Sequence, residues 1–311
     1  MDLARLGIGV AAVGRPAYIN LGRSAVLPAS RDVPAMRGTA FGVLDAAYAG
    51  GVRWVDTARS YGRGEEFVAQ WLDERGHDDV TVSSKWGYRY VGGWRTDAEV
   101  HEVKAHTLEQ FRTQLAETRA LLGGRLALYQ VHSLTADSPL LGDKPLLAAL
   151  AELAESGVRV GFSTSGPRQA DTVRLGLQAE VAGAPVFTAV QSTWNLLETS
   201  AAAALAEAHG WGAHVLVKEV LANGRLATDP PPAVAAAAHR YATGPDAVAL
   251  AAALAQPWAD TVLLGAASAG QVVSNLQAAR MRLGAGELDG LEAHALPPER
   301  YWAERSGLPW I

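Results

Sequence analysis

Residues 51–66 read GVRWVDTARSYGRGEE, and the fold turns on how this stretch is understood. An apolar run, Val52 to Val55, ends at Asp56, and Tyr61 follows five residues later in a loop of small residues and glycine. Glu65-Glu66-Phe67 then opens a helix. A strand that delivers a carboxylate and a phenol into one βα loop has two readings. Asp56 either caps a turn or belongs to a site of chemistry.

Outward from this unit, short β-like runs alternate with longer helical patterns. Upstream lie a first strand, Leu6 to Val13, an irregular segment from Gly14 to Pro34, and a helix through Thr39 to Ala49. Downstream, Glu65 to Glu74 is helical, and Asp79 to Lys85 is the third strand, ending at Lys85. An aromatic-rich loop follows, and Leu108, Phe111, Leu115 and Leu122 mark a helix at spacings near 3.6. Leu126 to Val131 is the fourth strand and ends at His132; Leu146, Leu147, Leu150 and Leu153 mark the next helix, stopped by Gly157.

The fifth to eighth strands are Val158–Phe162 ending in Ser163, Thr188–Val190 running into Gln191, His214–Val217 ending near Lys218-Glu219, and Thr261–Leu264 ending in Gly265. Each strand is followed by a helical candidate, although after the seventh it lies beyond Pro230-Pro231-Pro232. This alternation, with no compositional break, predicts an α/β protein: one (β/α)8 TIM barrel over residues 1–311, with about 286–311 as a loop or lid. An open doubly wound sheet fits less well, because no Gly-rich dinucleotide fingerprint follows a strand.

Composition agrees with a large core: 49% of the 311 residues are hydrophobic and mean hydropathy is +0.04. A net charge of -5 without a basic run argues against nucleic acid. The absence of cysteine excludes disulfides, thiolate metal ligands and cysteine nucleophiles. No long h-region opens the chain, and no stretch reaches about 18 uninterrupted apolar residues, so a soluble, cytoplasmic protein is expected. The Ala-rich patches at 201–208 and 233–238 read as helix surface and linker.

In a barrel of this kind the C-terminal ends of the strands converge on one face. They carry Asp56 with Tyr61, then Lys85, His132, Ser163, Gln191 and the 218–219 pair. A lone strand-end lysine is usually a solvated charge, and a lone histidine is usually structural. Asp, Tyr, Lys and His on three consecutive strand ends suggest more than that.

The segments GVRWVDTARSYG, VTVSSK, LALYQVH, VRVGFSTS, AVQSTWNLLE and LLGAASAGQVVSNL resemble, in order and spacing, the signature segments of the aldo-keto reductases, from about residue 5 to residue 285. The resemblance implies that Asp56, Tyr61, Lys85 and His132 are the catalytic tetrad. Reducing a carbonyl needs a hydride on one side and a proton for the developing alkoxide on the other. A phenol, with an ordinary pKa near ~10, is a poor acid. The ammonium of Lys85 is expected to make Tyr61 a better one, with Asp56 holding Lys85 in place. His132 is expected to bond the substrate oxygen. The hydride must come from a nicotinamide cofactor.

The same resemblance implies Ser163 and Gln191 as partners of the nicotinamide carboxamide. It implies residues 220–226, with Leu221, Gly224 and Leu226, as the pyrophosphate-covering segment, and Lys218 as a further cofactor contact. Gly265, Ser268, Gln271 and Asn275 would take the adenosine end, at a helix N-terminus. Two departures stand out: Lys218 occupies a place where many relatives stack an aromatic on the nicotinamide, and Ala267 and Gln271 stand where many carry Lys or Arg near a 2′-phosphate. Because the potassium-channel β-subunit branch also carries Gln there and binds NADP, NADP(H) is the expected cofactor, with NAD(H) as the alternative.

Relatives commonly begin with a hairpin that plugs the barrel floor, for which about five residues are too few. Trp86, Tyr88, Tyr90 and Trp94, then Trp194, and Tyr301, Trp302 and Trp310 either pack the loops together or line a substrate pocket, with the 14–34 segment as another wall. The expected activity is NAD(P)(H)-dependent interconversion of a small-molecule aldehyde or ketone and an alcohol. An NAD-linked aldose dehydrogenase and a low-turnover nicotinamide-binding regulatory subunit are the alternatives.

Overall fold

Along a strand alternate side chains point to opposite faces, and this alternation sorts the chain into barrel interior and helix-covered exterior. In the computed structural model, which describes residues 3–310, the strands in chain order begin with β1 (Leu6–Gly9), β2 (Trp54–Asp56) and β3 (Thr81–Trp86). A hairpin of β4 (Tyr88–Tyr90) and β5 (Glu102–Lys104) follows, then β6 (Leu126–Leu134) and β7 (Arg159–Thr164). A smaller hairpin, β8 (Glu180–Val181) with β9 (Ala184–Pro185), precedes β10 (Ala189–Thr193), β11 (His214–Lys218) and β12 (Thr261–Leu264). β1, β2, β3, β6, β7, β10, β11 and β12 are parallel neighbours in that order, and β12 closes back onto β1. The (β/α)8 barrel expected from the alternation is the architecture.

The helices are α1 (Val33–Ala49), α2 (Gly64–Arg75), α3 (Leu108–Leu122), α4 (Lys144–Glu155), α5 (Gln169–Leu177), α6 (Ala202–Gly210), α7 (Arg225–Thr228), α8 (Pro232–Arg240), α9 (Pro245–Leu254), α10 (Ala269–Asn275), α11 (Ala285–Glu292) and α12 (Pro298–Ser306). α4 buries Leu146, Leu147, Leu150 and Leu153, the face its spacing predicts. α9 is buried from Ala247 to Leu254, against α8 and the 3-10 turn Leu276–Arg280, so its alanines serve close packing on all sides. None of these helices, among the described residues, is long and apolar enough to cross a membrane.

Several local expectations are corrected. α1 starts at Val33 rather than Thr39, because the Asp32 carboxylate caps the Ala35 N–H at 2.9 Å and Pro34 suits the first turn. β1 stops at Gly9, where the Gly14 N–H turns back to the Val10 carbonyl at 2.8 Å. The aromatic-rich loop after β3 contains the β4–β5 hairpin. Residues 233–238 are not linker but α8, with Val234, Ala237 and Ala238 buried. The 286–311 segment is largely helical, as α11 and α12.

The floor is closed by side chains from the strands. Among the described residues only a 3-10 turn, Leu3–Arg5, precedes β1. Inside, Trp54 stacks on His214 (centroids 5.0 Å apart, 8° between planes) and packs against Leu128, Ala189 and Leu216. The indole N–H donates to Ser83 Oγ at 3.0 Å, and His214 Nε2 pairs with Thr261 Oγ1 at 2.9 Å. Trp54→Ala should lower unfolding free energy by about 3 kcal/mol, the lower end for a buried tryptophan because the indole is not wholly enclosed. A urea-unfolding midpoint measures it.

Candidate active site

At the C-terminal ends of the strands the barrel opens into a cavity of ≈ 270 Å³ whose wall includes Asp56, Tyr61, His132, Gln191 and Lys218. Asp56, at the end of β2, collects four donors. Lys85 Nζ forms the ion pair on Oδ2, while the Ser83 hydroxyl (2.7 Å), Gln191 Nε2 (3.1 Å) and Gln130 Nε2 (3.3 Å) bond Oδ1. Lys85 also donates to the Thr57 carbonyl at 3.0 Å and is fully buried behind the cavity wall. Its ammonium lies 5.0 Å from the centroid of the Tyr61 ring.

The expected effect of that ammonium is not the dominant one. Burial pushes the Tyr61 phenol well above its ordinary value, the Asp56 charge adds to this, and Arg15 opposes it. The phenol is therefore protonated at neutral pH. Burial holds the His132 imidazole well below its ordinary value, and Lys85, Arg15 and Lys218 add to the effect, so the ring is neutral. Its Nδ1 pairs with the Ser60 hydroxyl at 3.3 Å, and its ring meets Tyr61 edge-on at 5.6 Å.

The loop bearing Tyr61 is held from both sides. The Arg63 N–H donates to the Gly14 carbonyl at 2.9 Å, and a Cβ on Gly14 would stand 2.6 Å from the Tyr61 carbonyl and 2.9 Å from Gly64 Cα. Gly62 has φ +62°, and a Cβ there would meet the Gly14 carbonyl at 2.8 Å. On the outer side, Arg59 pairs with the buried Glu65 at 2.7 Å. Gly14→Ala should therefore destabilise by about 1–3 kcal/mol through overpacking, read from the denaturant midpoint.

Four residues that resemblance and periodicity did not single out complete the wall. Arg15, buried, donates to the Ser60 carbonyl at 3.0 Å and to Glu102 at 2.8 Å, and lies over the rings of Trp310 (4.7 Å), Tyr18 (4.9 Å) and Tyr61 (5.5 Å). Arg305, from α12, forks onto Glu219 just past β11, with Nε 2.8 Å from Oε2. Tyr18 and Glu102 also face the cavity. Nothing in their local sequence marks them beyond the position of Arg15 and Tyr18 in the expected loop wall.

The Arg305 fork and Lys218 hold the Glu219 carboxyl down to about 2, against burial. Because the folded value is the lower one, this stabilisation is present above the unfolded carboxyl's range near ~4.3 and is lost as pH falls from there toward about 2. Glu219→Gln should flatten that part of the acid limb in a stability-versus-pH series.

Of the aromatics expected in a pocket, Tyr88 lines the cavity, as does Trp310 from the tail. Trp86 does not: it follows inward-facing Lys85, so it points out and packs on Phe111 at 5.0 Å. Trp194 likewise follows inward-facing Thr193 and packs on Trp258 at 6.0 Å. Trp94 donates to the Arg31 carbonyl at 2.8 Å, away from the cavity.

Of the expected cofactor contacts, Gln191, Lys218, Leu221, Gly224 and Gly265 line the cavity. Ser163 is buried outside it and accepts the Ser133 N–H at 2.8 Å. Leu226 is buried in the core. Ser268 and Gln271 cap their own helix: Ser268 accepts the Gln271 N–H at 3.2 Å, and Gln271 accepts the Ala267 N–H at 2.8 Å. Asn275 donates to Asp246 at 2.7 Å. Residues 221–224 are tied across the mouth to the first loop, with the Leu21 N–H on the Asn223 carbonyl (2.8 Å) and Asn223 Nδ2 on the Ile19 carbonyl (3.0 Å).

A model of the Aldo/keto reductase family matches residues 29–295. Similar solved structures include an aldo-keto reductase from Bacillus halodurans in its holo form, 20% identical with TM-score 0.69 over 94% of this chain and 92% of that one. A structure titled as a candidate 2,5-diketo-D-gluconic acid reductase B is 22% identical, with TM-score 0.64 over 95% and 89%. A candidate aldo-keto reductase from Pseudomonas aeruginosa is 23% identical, with TM-score 0.62 over 88% and 90%. No curated protein matches the chain. On the extent of the family match, carried on a closed eight-stranded barrel, the chain belongs to the aldo/keto reductase family.

Proposed function

We propose that this protein reduces an aldehyde or ketone to its alcohol, and runs the reverse oxidation, with NADP(H) as hydride carrier and Tyr61 as proton donor. NAD(P)H-dependent interconversion of carbonyls and alcohols is the chemistry of the family; the assignment to residues is our own reading. What supports it is the convergence of Tyr61 and His132 on one cavity wall, with the Lys85–Asp56 pair directly behind.

The bound nicotinamide supplies the hydride, and the remaining work falls to the chain. With Nδ1 accepting from the Ser60 hydroxyl, Nε2 of neutral His132 carries the proton and donates to the substrate oxygen, orienting the carbonyl. As the oxygen takes on alkoxide character its basicity rises above that of the phenol, and Tyr61 gives up its proton. The phenolate left behind is stabilised by the buried ammonium of Lys85, which Asp56 and the Thr57 carbonyl hold in place. In the oxidative direction the same phenolate takes the proton back.

The cavity suits a nucleotide with amide and hydroxyl donors. Asn223 Oδ1 is buried without a partner on a residue of the cavity wall, Gln191 presents a carboxamide, and nothing stands within 4 Å of where a Cβ on Gly265 would lie. Gln191, Leu221, Asn223, Gly224 and Gly265 would hold it.

The test is a panel of aldehydes, ketones and aldoses with NADPH and NADH, followed by nicotinamide absorbance. Turnover of carbonyls with a preference for NADPH is expected; absence of turnover with either cofactor would reject the reading. The pH profile of kcat should lack an inflection near 6.5, since His132 is already neutral there.

A further inference from the structure

Two cations stand close to the ring of Tyr61. Lys85 Nζ, from β3, lies 5.0 Å from its centroid, and the Arg15 guanidinium, from the loop after β1, lies 5.5 Å from it. Both are buried, and Arg15 lines the same cavity as the phenol. Arg15 is also fixed in place. Its Nη1 donates to the Ser60 carbonyl at 3.0 Å, one residue before Tyr61, and its guanidinium lies over the rings of Tyr18 (4.9 Å) and Trp310 (4.7 Å).

Each cation has a carboxylate partner, but the two pairs differ in how far they cancel. Lys85 and Asp56 are both buried, with side chains 0% and 4% exposed, so neither charge is screened by water. In the other pair Arg15 is 2% exposed and Glu102 23%, so water screens the carboxylate more than the guanidinium. The contact is made by one nitrogen, Nη1, at 2.8 Å, and Arg15 Nε is buried without a partner. A guanidinium also keeps its charge throughout the working pH range. Burial and then Asp56 push the Tyr61 phenol up; Arg15 pulls it down, and Glu102 opposes Arg15 more weakly.

We propose that Arg15 is a positioning residue of the reaction, sharing with Lys85 the stabilisation of the Tyr61 phenolate. The proposal rests on the carbonyl-reductase reading above and adds a second cation beside its acid. As the Tyr61 O–H bond breaks, the proton passes to the substrate oxygen and the electron pair stays on the phenol oxygen. That charge spreads into the ring, which both cations meet. Asp56 cancels much of the Lys85 charge, and Arg15 supplies the net positive field that the phenolate needs.

Ionisation of this phenol can be read without substrate or cofactor. Tyr61 is replaced by 3,5-difluorotyrosine in the full chain, and its fluorine NMR resonance is followed against pH; the fluorines acidify the phenol and bring its titration below alkaline unfolding. Arg15→Met should raise the midpoint by about one pH unit, and Arg15→Lys, which keeps the charge, should leave it close to the wild type. Glu102→Gln removes the opposing charge and should lower it. A purely structural role for the pair gives no such opposition of sign. The titratable groups facing Tyr61 are Asp56, Lys85, His132, Glu219, Glu102, Arg15 and Tyr18. With the natural tyrosine, kcat for benzaldehyde and NADPH should fall about 3- to 10-fold in Arg15→Met and recover in Arg15→Lys, with the KM for NADPH near the wild type's.

A midpoint unmoved in Arg15→Met, or moved in the same direction by Arg15→Met and Glu102→Gln, overturns the proposal. So does an unchanged kcat in Arg15→Met. If Arg15→Met does not fold, Glu102→Gln decides, and a midpoint that fails to fall overturns the proposal. If carbonyls are reduced in a Tyr61-dependent manner while the midpoints stay fixed, the reductase reading stands without Arg15. If no carbonyl is turned over but the midpoints move as expected, the reductase reading falls and the action of Arg15 on the phenol stands.

Discussion

Tyr61→Phe is expected to lower kcat for carbonyl reduction by about 10²–10⁴-fold, the usual contribution of a positioned acid. The substitution removes one hydroxyl and keeps the ring that packs between His132 and Arg15. Stability and cofactor affinity should therefore stay close to the wild type, and the loss should fall on the chemical step. Steady-state kinetics together with fluorescence titration of NADPH separate the two. Wild-type turnover by the Phe variant would remove Tyr61 from the proton-donor role. Because burial already keeps the phenol protonated, the wild-type rate should show no requirement for acid below neutrality.

Lys85→Met carries the second large effect, on both stability and rate. Lys85 and Asp56 are a buried pair, and removing one partner of such a pair costs about 3–5 kcal/mol because the other charge stays buried. Ser83, Gln130 and Gln191 still donate to Asp56, which places the expectation at the lower end. In the proposed reaction the phenolate of Tyr61 also loses a stabilising cation, so kcat should fall even in molecules that remain folded. Denaturant unfolding and kcat measured well below the unfolding midpoint distinguish these contributions. A variant with unchanged stability and unchanged kcat would show that the ion pair does neither job.

The covering segment and the C-terminal helix bear on how a ligand enters. Backbone and side-chain bonds tie residues 221–224 to the first loop, while α12 is held by Arg305 on Glu219, by Tyr301 accepting from Asn195 at 3.0 Å, and by Arg225 on Glu304 at 2.6 Å. A large ligand can occupy the cavity only by passing beneath or displacing these ties. The Glu219 anchor is thus structural and electrostatic together, since the same carboxylate also lies 3.9 Å from Lys218 Nζ.

The alternation of short strands and helices, read outward from residues 51–66, determined the barrel, its strand ends and the grouping of Asp56, Tyr61, Lys85 and His132 near one mouth. Those properties are local and periodic: a strand end and a residue type suffice to place a side chain at the mouth of the barrel. Strand periodicity could also have excluded Trp86 and Trp194, since each directly follows an inward-facing residue and must point outward. Only the tertiary structure decided the rest. Arg15 meets Glu102 and Trp310 across 87 and 295 residues, Glu219 meets Arg305 across 86, and Trp54 meets His214 through the barrel floor. Which basic side chain finds which carboxylate depends on these distant pairings, and charge matching at such range has no period by which a sequence could announce it.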